Sequence, residues 1–271
     1  NHDDLWSFEG KNVPIHWHND LEINLIREGE AVFQVYQKSY RVRTGDGFLL
    51  NRNVPHSCSS PGNEHVRYST ILVRPDFLYG DFGSDVERKC FQPFLQNSAI
   101  PCIYLTGFDE NGKEILQKLN QVEEAFDQKR FCYELKIKGL LCEAFAMILY
   151  GHRQELTKFV PANLQELERL EKMLNYLNMH FTEVISLQDL ADQVHLSREV
   201  CCRLFKKMTG KTITGYLEEY RVNKSFSLVQ SGQYSMTQIT EMVGFSNPSR
   251  FASAFRKRFG CNPGEYNSVK H

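Results

Sequence analysis

The stretch Leu190-Ala191-Asp192-Gln193-Val194-His195-Leu196-Ser197, closing at Phe205-Lys206-Lys207-Met208-Thr209-Gly210, returns later in the chain. Its second copy is Ile239-Thr240-Glu241-Met242-Val243-Gly244-Phe245-Ser246, closing at Phe255-Arg256-Lys257-Arg258-Phe259-Gly260. Each copy reads as a short apolar helix, a tight turn and a second helix. Ser197 stands where a side-chain oxygen caps a helix start. In the second copy Gly244 supplies the turn, Asn247 or Ser246 the cap, and Pro248 fits the first helical turn. This is a helix-turn-helix used twice. The copies lie 49 residues apart before the second helix and 50 apart at its end, so the second turn carries one extra residue.

Helical spacing buries Val200, Cys201, Leu204 and Phe205 in the first copy, and Phe251, Ala254 and Phe255 in the second. Glu199, Cys202, Arg203 and Lys206 then share the opposite face, matched by Ser249, Ala252, Ser253 and Arg256. Arginine can pair with guanine O6 and N7, and a carboxylate can accept from cytosine N4, which makes Arg203 and Glu199 the expected base readers, beside Cys202. Ser249, Arg250 and Ser253 are their counterparts. Arg256, Lys257 and Arg258 read as phosphate anchors, and Lys206 and Lys207, with Ser197, Arg198 and Asn247 at the helix starts, complete the expected DNA-contacting set.

Charge points the same way. The net charge is -1 overall, but residues 1–159 hold 18 Lys+Arg against 22 Asp+Glu, whereas residues 197–271 hold 12 against 5. Such a local basic field attracts polyanions although the whole chain does not.

Around the repeats, residues 164–181, 187–194, 197–208, 212–230, 235–242 and 247–258 read as helices. The region 164–271 resembles the DNA-binding domain of the AraC/XylS family of transcriptional regulators. The resemblance rests on both helix-turn-helix units, the connecting helix over 213–230, and the closing run Gly244-Phe245-Ser246, Phe251, Phe255-Arg256-Lys257, Phe259-Gly260, Pro263 and Tyr266. It implies that the two recognition helices enter successive major grooves of one duplex. Short or acidic residues at 199, 202, 252 and 253 depart from the larger polar readers common in the family, so no operator sequence carries over.

Working toward the N-terminus, the polar segment 153–163, with Pro161, reads as an exposed linker. Two amphipathic helices, over about 113–128 and 131–152, precede it, with Ile115, Leu119, Val122 and Phe126 at helical spacing. They can serve a dimer contact or cap their own domain. Earlier still, short Val-, Ile-, Phe- and Tyr-rich stretches over 13–73 alternate with turn signals, among them Ser59-Ser60-Pro61-Gly62-Asn63, as expected for an antiparallel sandwich or barrel.

The expected architecture is therefore multidomain. An all-β barrel (1–108), which the motif Gly10, His16, His18, Glu22 and Gly29 makes cupin-like, is followed by two dimerisation-type helices (109–152), a linker (153–163) and an all-α double helix-turn-helix domain (164–271).

Within the barrel, Gly10, His16, His18, Glu22 and Gly29 follow the spacing Gly-x5-His-x-His-x3-Glu-x6-Gly, which resembles the first cupin motif. His16 and His18 share one side of a strand, Glu22 and His56 can join them, and the set suits Fe, Mn, Ni or Zn. The second motif departs from the cupin pattern, with Asn51 and Asn53 where Pro and Gly are expected and Ser60 in place of Asn. The resemblance to AraC-type sensory barrels implies an effector pocket instead. His16, His18, Glu22, Asn24 and His56 supply its polar groups, with Trp17, Phe33 and Tyr36 as walls.

At 271 residues the chain has room for two domains. Its longest strongly apolar stretch, 145–150, is far short of the roughly 20 residues of a bilayer span, and Asn1-His2-Asp3-Asp4 does not begin a secretory signal. The 8 cysteines include no Cys-x-x-Cys pair and read mostly as buried thiols of a reducing cytosol, with Cys201-Cys202 as a candidate redox pair.

The expected function is a cytoplasmic, DNA-binding, homodimeric regulator of transcription. It responds to a small-molecule effector, engages RNA polymerase if it activates, and needs no cofactor and catalyses no reaction, with a divalent metal as an open option. The alternatives are a metal-dependent cupin enzyme, or a metal or redox sensor, fused to a DNA-binding domain.

Overall fold

The computed structural model describes residues 2–4, 12–61, 65–158, 160–161 and 163–268. Gly10 of the histidine motif, and Gly62 and Asn63 of one turn, lie outside the described residues. The strands are β1 (His2–Asp4), β2 (Asn12–His16), β3 (Leu21–Glu28), β4 (Glu30–Val35), β5 (Lys38–Arg43), β6 (Gly47–Leu50), β7 (His56–Ser59), β8 (Arg67–Val73) and β9 (Cys102–Leu105). They form two antiparallel sheets, in the orders β1-β8-β3-β6-β9 and β2-β7-β4-β5. Short helices α1 (Pro75–Tyr79) and α2 (Gln92–Leu95), with a π-helical turn at Glu87–Phe91, precede β9.

All six residues from Leu21 to Ile26 are buried, because β3 is covered on both sides. Ile26, Phe48 and Leu50 face the second sheet, meeting Phe33, Val35, Val42 and Cys58. Leu21, Ile23, Leu25 and Leu49 face the opposite way and pack against the long helices α3 (Glu110–Gln128) and α4 (Tyr133–Gly151).

Those helices therefore cover their own sheet, through Ile115, Leu119, Val122, Leu141, Phe145 and Ile148. Phe126 falls outside this face and is exposed, as are Phe131, Leu135 and Tyr150. Asp109 caps α3 by accepting from the Gly112 N–H at 2.7 Å.

The segment after α4 is exposed but tied down. It contains α5 (Arg153–Leu156), and the chain beyond α5 is fastened by Asn97, which is almost fully buried. The Asn97 amide donates to the Lys158 carbonyl at 3.2 Å and accepts from the Val160 N–H at 3.0 Å. Among the described residues seven helices follow: α6 (Leu164–Met179), α7 (Leu187–Gln193), α8 (Arg198–Thr209), α9 (Ile213–Ser231), α10 (Met236–Met242), α11 (Pro248–Phe259) and α12 (Pro263–Ser268).

Two small cores hold them. Leu170, Met173, Leu177, Leu190, Cys201 and Phe205 fill the first, with Tyr216 from the start of α9. Val222, Phe226 and Val229 from the rest of α9 meet Ile239, Phe251, Phe255 and Phe259 in the second. Each buried Phe contributes roughly 1.5–3 kcal/mol of transfer free energy. The connecting helix thus belongs to both cores.

Candidate DNA-reading faces and histidine cluster

The duplication extends to backbone conformation. His195 and Gly244, the turn residues of the two copies, have φ of 53° and 77°, and Gly210 and Gly260 end α8 and α11 with φ of 72° and 79°. Ser197 accepts from the Val200 N–H at 3.4 Å, and Asn247, not Ser246, accepts from the Arg250 N–H at 2.8 Å. Ser246 is then the extra residue of the second turn. Ser235 and Gln238 close a reciprocal capping box at α10, fixing the first helix of that copy.

Cys201, Leu204, Phe205, Phe251 and Phe255 are buried as expected, while Val200 and Ala254 are half-buried. On the opposite faces, Glu199, Arg203, Lys206, Ser249, Ser253 and Arg256 are exposed, together with Ser197, Arg198, Asn247 and Lys257, and Cys202 is partly so. Three basic residues are placed differently. Lys207 pairs with Glu166 at 2.7 Å and lines a cleft against the N-terminal domain. Arg250 is held by Glu218 at 3.2 Å. Arg258 lies over the Phe259 ring, where burial lowers its pKa despite the nearby Glu219. The helix turns its side chain inward, away from Arg256 and Lys257.

In the sandwich, His16, His18, Glu22 and His56 bring their ligand atoms within 4.8 Å of one another. His16 and His56 are register partners across β2 and β7, with ring centroids 4.2 Å apart. Each imidazole Nδ1 lies against a main-chain carbonyl: His16 on Pro14 at 2.9 Å, His18 on Asp20 at 3.0 Å and His56 on Val54 at 2.8 Å. A carbonyl only accepts, so Nδ1 is the donor, and in the neutral ring Nε2 carries the lone pair.

Two of those Nε2 atoms meet one carboxylate oxygen, since Glu22 Oε2 is 2.8 Å from His18 and 3.2 Å from His56. The other oxygen, Oε1, accepts from the Asn24 amide at 2.7 Å, and Asn24 in turn accepts from the Thr70 hydroxyl at 3.0 Å. Burial opposes the charge on Glu22, but the bonds from His18, His56 and Asn24 outweigh it and hold its carboxyl well below the usual range. Its hydrogen bond to Glu22 raises the His18 pKa, and burial lowers that of His16 to about 4, with His56 adding to the effect. With every Nδ1 committed to a carbonyl, the Nε2 atoms that bond to Glu22 become lone-pair ligands once an ion displaces their protons, and three such nitrogens with an oriented carboxylate are a donor set for a divalent transition metal.

The proposed walls divide. Phe33 is stacked on Phe48 at 4.8 Å and fills the core instead of lining a pocket. Trp17 is packed against the first helix-turn-helix core, and Tyr36 bridges that core and the core of the sandwich. Asn53 adopts φ 57°, the region glycine favours, so it can serve at the position where the cupin pattern has Gly. Asn51 is a packing residue, its amide donating to the Phe94 carbonyl at 2.7 Å. Burial pushes the Cys201 thiol up to about 11, and its sulfur lies 3.4 Å from that of Met173, which does not favour a reactive Cys201-Cys202 pair. Among the described residues no helix is long and apolar enough to cross a membrane.

A β-sandwich with a buried polar cluster, joined to two helix-turn-helix units with exposed polar faces, defines a ligand-responsive DNA-binding protein. A family model described as an AraC-like ligand binding domain matches residues 5–145, and one described as a helix-turn-helix domain matches residues 190–268. The chain belongs to the AraC family of transcriptional regulators.

It is 29% identical over 258 residues to the HTH-type transcriptional regulator YdeC of Bacillus subtilis, covering 95% of this chain and 87% of that one. It is 23% identical over 257 residues to the transcriptional activator RhaR of Mannheimia succiniciproducens, covering 94% and 87%. A structure of ToxT from Vibrio cholerae aligns with a TM-score of 0.46 at 17% identity, covering 99% of this chain and 97% of that chain.

Proposed function

We propose that this transcriptional regulator takes its effector at the His16, His18, Glu22, Asn24 and His56 cluster, and that a divalent first-row transition-metal ion is the ligand the cluster fits best. The observation that carries this reading is that all three Nδ1 atoms are pinned to carbonyls, which leaves the three Nε2 atoms, gathered beside one carboxylate, as the positions that can coordinate an ion. The ion acts as a regulatory ligand, and the chain is not an enzyme.

DNA is read by Arg203 and Glu199 with Cys202 in one groove, and by Ser249 and Ser253 with Arg250 in the next. Lys206, Arg256 and Lys257 anchor phosphates, and Ser197, Arg198 and Asn247 offer helix-start contacts. A homodimer forms through the apolar residues that α3 and α4 leave uncovered, Phe126, Phe131 and Leu135. The regulator acts in the cytoplasm and contacts RNA polymerase when it activates.

The test uses the chelator-treated full chain, zinc, manganese, iron(II) or nickel salts, and a labelled duplex selected from a random pool. One metal should raise the melting temperature and change duplex affinity, since a ligand at a hundredfold its Kd adds about 2.7 kcal/mol to stability. His56→Ala and Glu22→Ala should abolish both effects. A metal response that survives both substitutions overturns the site. A His56-dependent response to an organic metabolite alone replaces the ion, and turnover by the metal-loaded chain supports the enzyme reading.

A further inference from the structure

The two residues that flank His16, Ile15 and Trp17, pack against the core of the first helix-turn-helix unit, while His16 and His18 face the cluster inside the sandwich. One short segment therefore alternates between two tasks, as side chains on an extended chain do. Among the described residues β2 is an edge strand, hydrogen-bonded only to β7, and its register breaks between Val13 and His16, where Pro14 offers no N–H. It is the least tethered strand of the cluster.

Further contacts brace the same docking. The Asn12 amide donates to Glu219 of α9 at 3.5 Å. Tyr36, at the end of β4 and with φ 51°, also packs on the first core. Gly210, which ends α8, sits so close that a Cβ there would lie 2.5 Å from both the Tyr36 carbonyl oxygen and the Gln34 amide nitrogen. The strand β4 pairs with β7, and Val35 is the register partner of His56. Each strand carrying a cluster histidine is thus in contact with, or one strand away from, the footing of the first recognition helix.

We infer that the segment from β2 to His18 is the coupling element between the cluster and the first helix-turn-helix unit. This rests on the cluster being a metal site. Drawing the Nε2 atoms of His16, His18 and His56 onto one ion resets the backbone at 15–18, and Ile15 and Trp17 must follow or leave their seat on the DNA-binding domain. The ion shifts the balance between docked and released first units by its preference for one of them. By reciprocity the duplex must change metal affinity by the same factor, and coupling of this kind is usually about 5- to 150-fold.

The test measures zinc affinity with and without the selected duplex, and duplex affinity with and without zinc, in the full chain. The wild type should give equal factors of about fivefold or more. Trp17→Ala should keep zinc affinity within about twofold while both factors fall toward one, and Trp17→Phe should restore them. Gly210→Ala, which wedges the docking open from the other side, should also lose the coupling. Undiminished coupling in folded Trp17→Ala and Gly210→Ala overturns the inference and leaves the metal site standing. Absence of binding of zinc, manganese, iron(II) and nickel alike by the wild type overturns both.

Discussion

Gly244 is seated on Thr182: a Cβ at Gly244 would lie 2.7 Å from both the Cα and the carbonyl oxygen of Thr182. The turn of the second helix-turn-helix unit thus rests on the loop between α6 and α7, which belongs to the first. Arg221 of α9 binds the same loop, donating to the Phe181 and Glu183 carbonyls at 2.6 and 2.7 Å. The spacing of the recognition helices is fixed by this contact as well as by the connecting helix.

Gly244→Ala should therefore destabilise by about 1–3 kcal/mol, since it places a side chain at a positive φ against fixed backbone. Arg221→Gln should unfold less and yet tolerate duplexes whose two contacted grooves are shifted by a base pair. Thermal unfolding and a spacing series of duplexes would check the pair, and an unchanged spacing preference in Arg221→Gln would refute the bracing role.

Arg203→Ala should cost about 1–3 kcal/mol at the cognate site and relax base preference there, whereas Lys257→Ala should weaken all sequences alike and lower the salt slope by about one. Anisotropy titrations at several salt concentrations separate the two. Retained specificity in Arg203→Ala would mean that the reading face is misassigned.

Lys206 and Lys207 are neighbours with different surroundings, and only Lys207 is committed to Glu166 at the interdomain cleft. Lys206→Ala should lower the salt dependence of duplex binding by about one phosphate contact, and Lys207→Ala by much less. Equal slopes would show that the Lys207 pair opens on DNA.

Asn97→Ala should release the segment after α5. Losing a buried amide that serves the Lys158 and Val160 main chain, at 3.2 and 3.0 Å, costs about 1–3 kcal/mol locally. Limited proteolysis should then cut within 153–161 faster than in the wild type. An unchanged cleavage rate would show that other contacts hold this segment.

Much of the helical region is legible in the sequence because its ends are marked chemically: Ser197, Ser235, Asn247, Gly210 and Gly260 all act as the caps their types suggest. The small helix α12 is absent from the sequence reading, since six residues including Gly264 carry too little periodicity. The run Arg256-Lys257-Arg258 reads as one basic block, but a helix fans three consecutive residues around more than half a turn, and the third faces inward.

In the sandwich, the period of two brings out the His16, His18, Glu22 and His56 set. The same period places Phe33 with Val35 in the core, which the assignment of Phe33 as a pocket wall overlooked. Nothing in the sequence says that Ile15, Trp17 and Tyr36 meet the first helix-turn-helix core, because that partner lies some 130 to 200 residues away in the chain.

Ser246 lengthens one turn and not the other, and the exposed polar residues beyond the turns differ in kind, an arginine and a glutamate against two serines. A single copy of this chain is consequently not a palindromic device: laid along a duplex it has a head and a tail. A promoter carrying its target reversed presents the rest of the molecule to the opposite direction of transcription, so orientation is information the site holds before any second copy arrives.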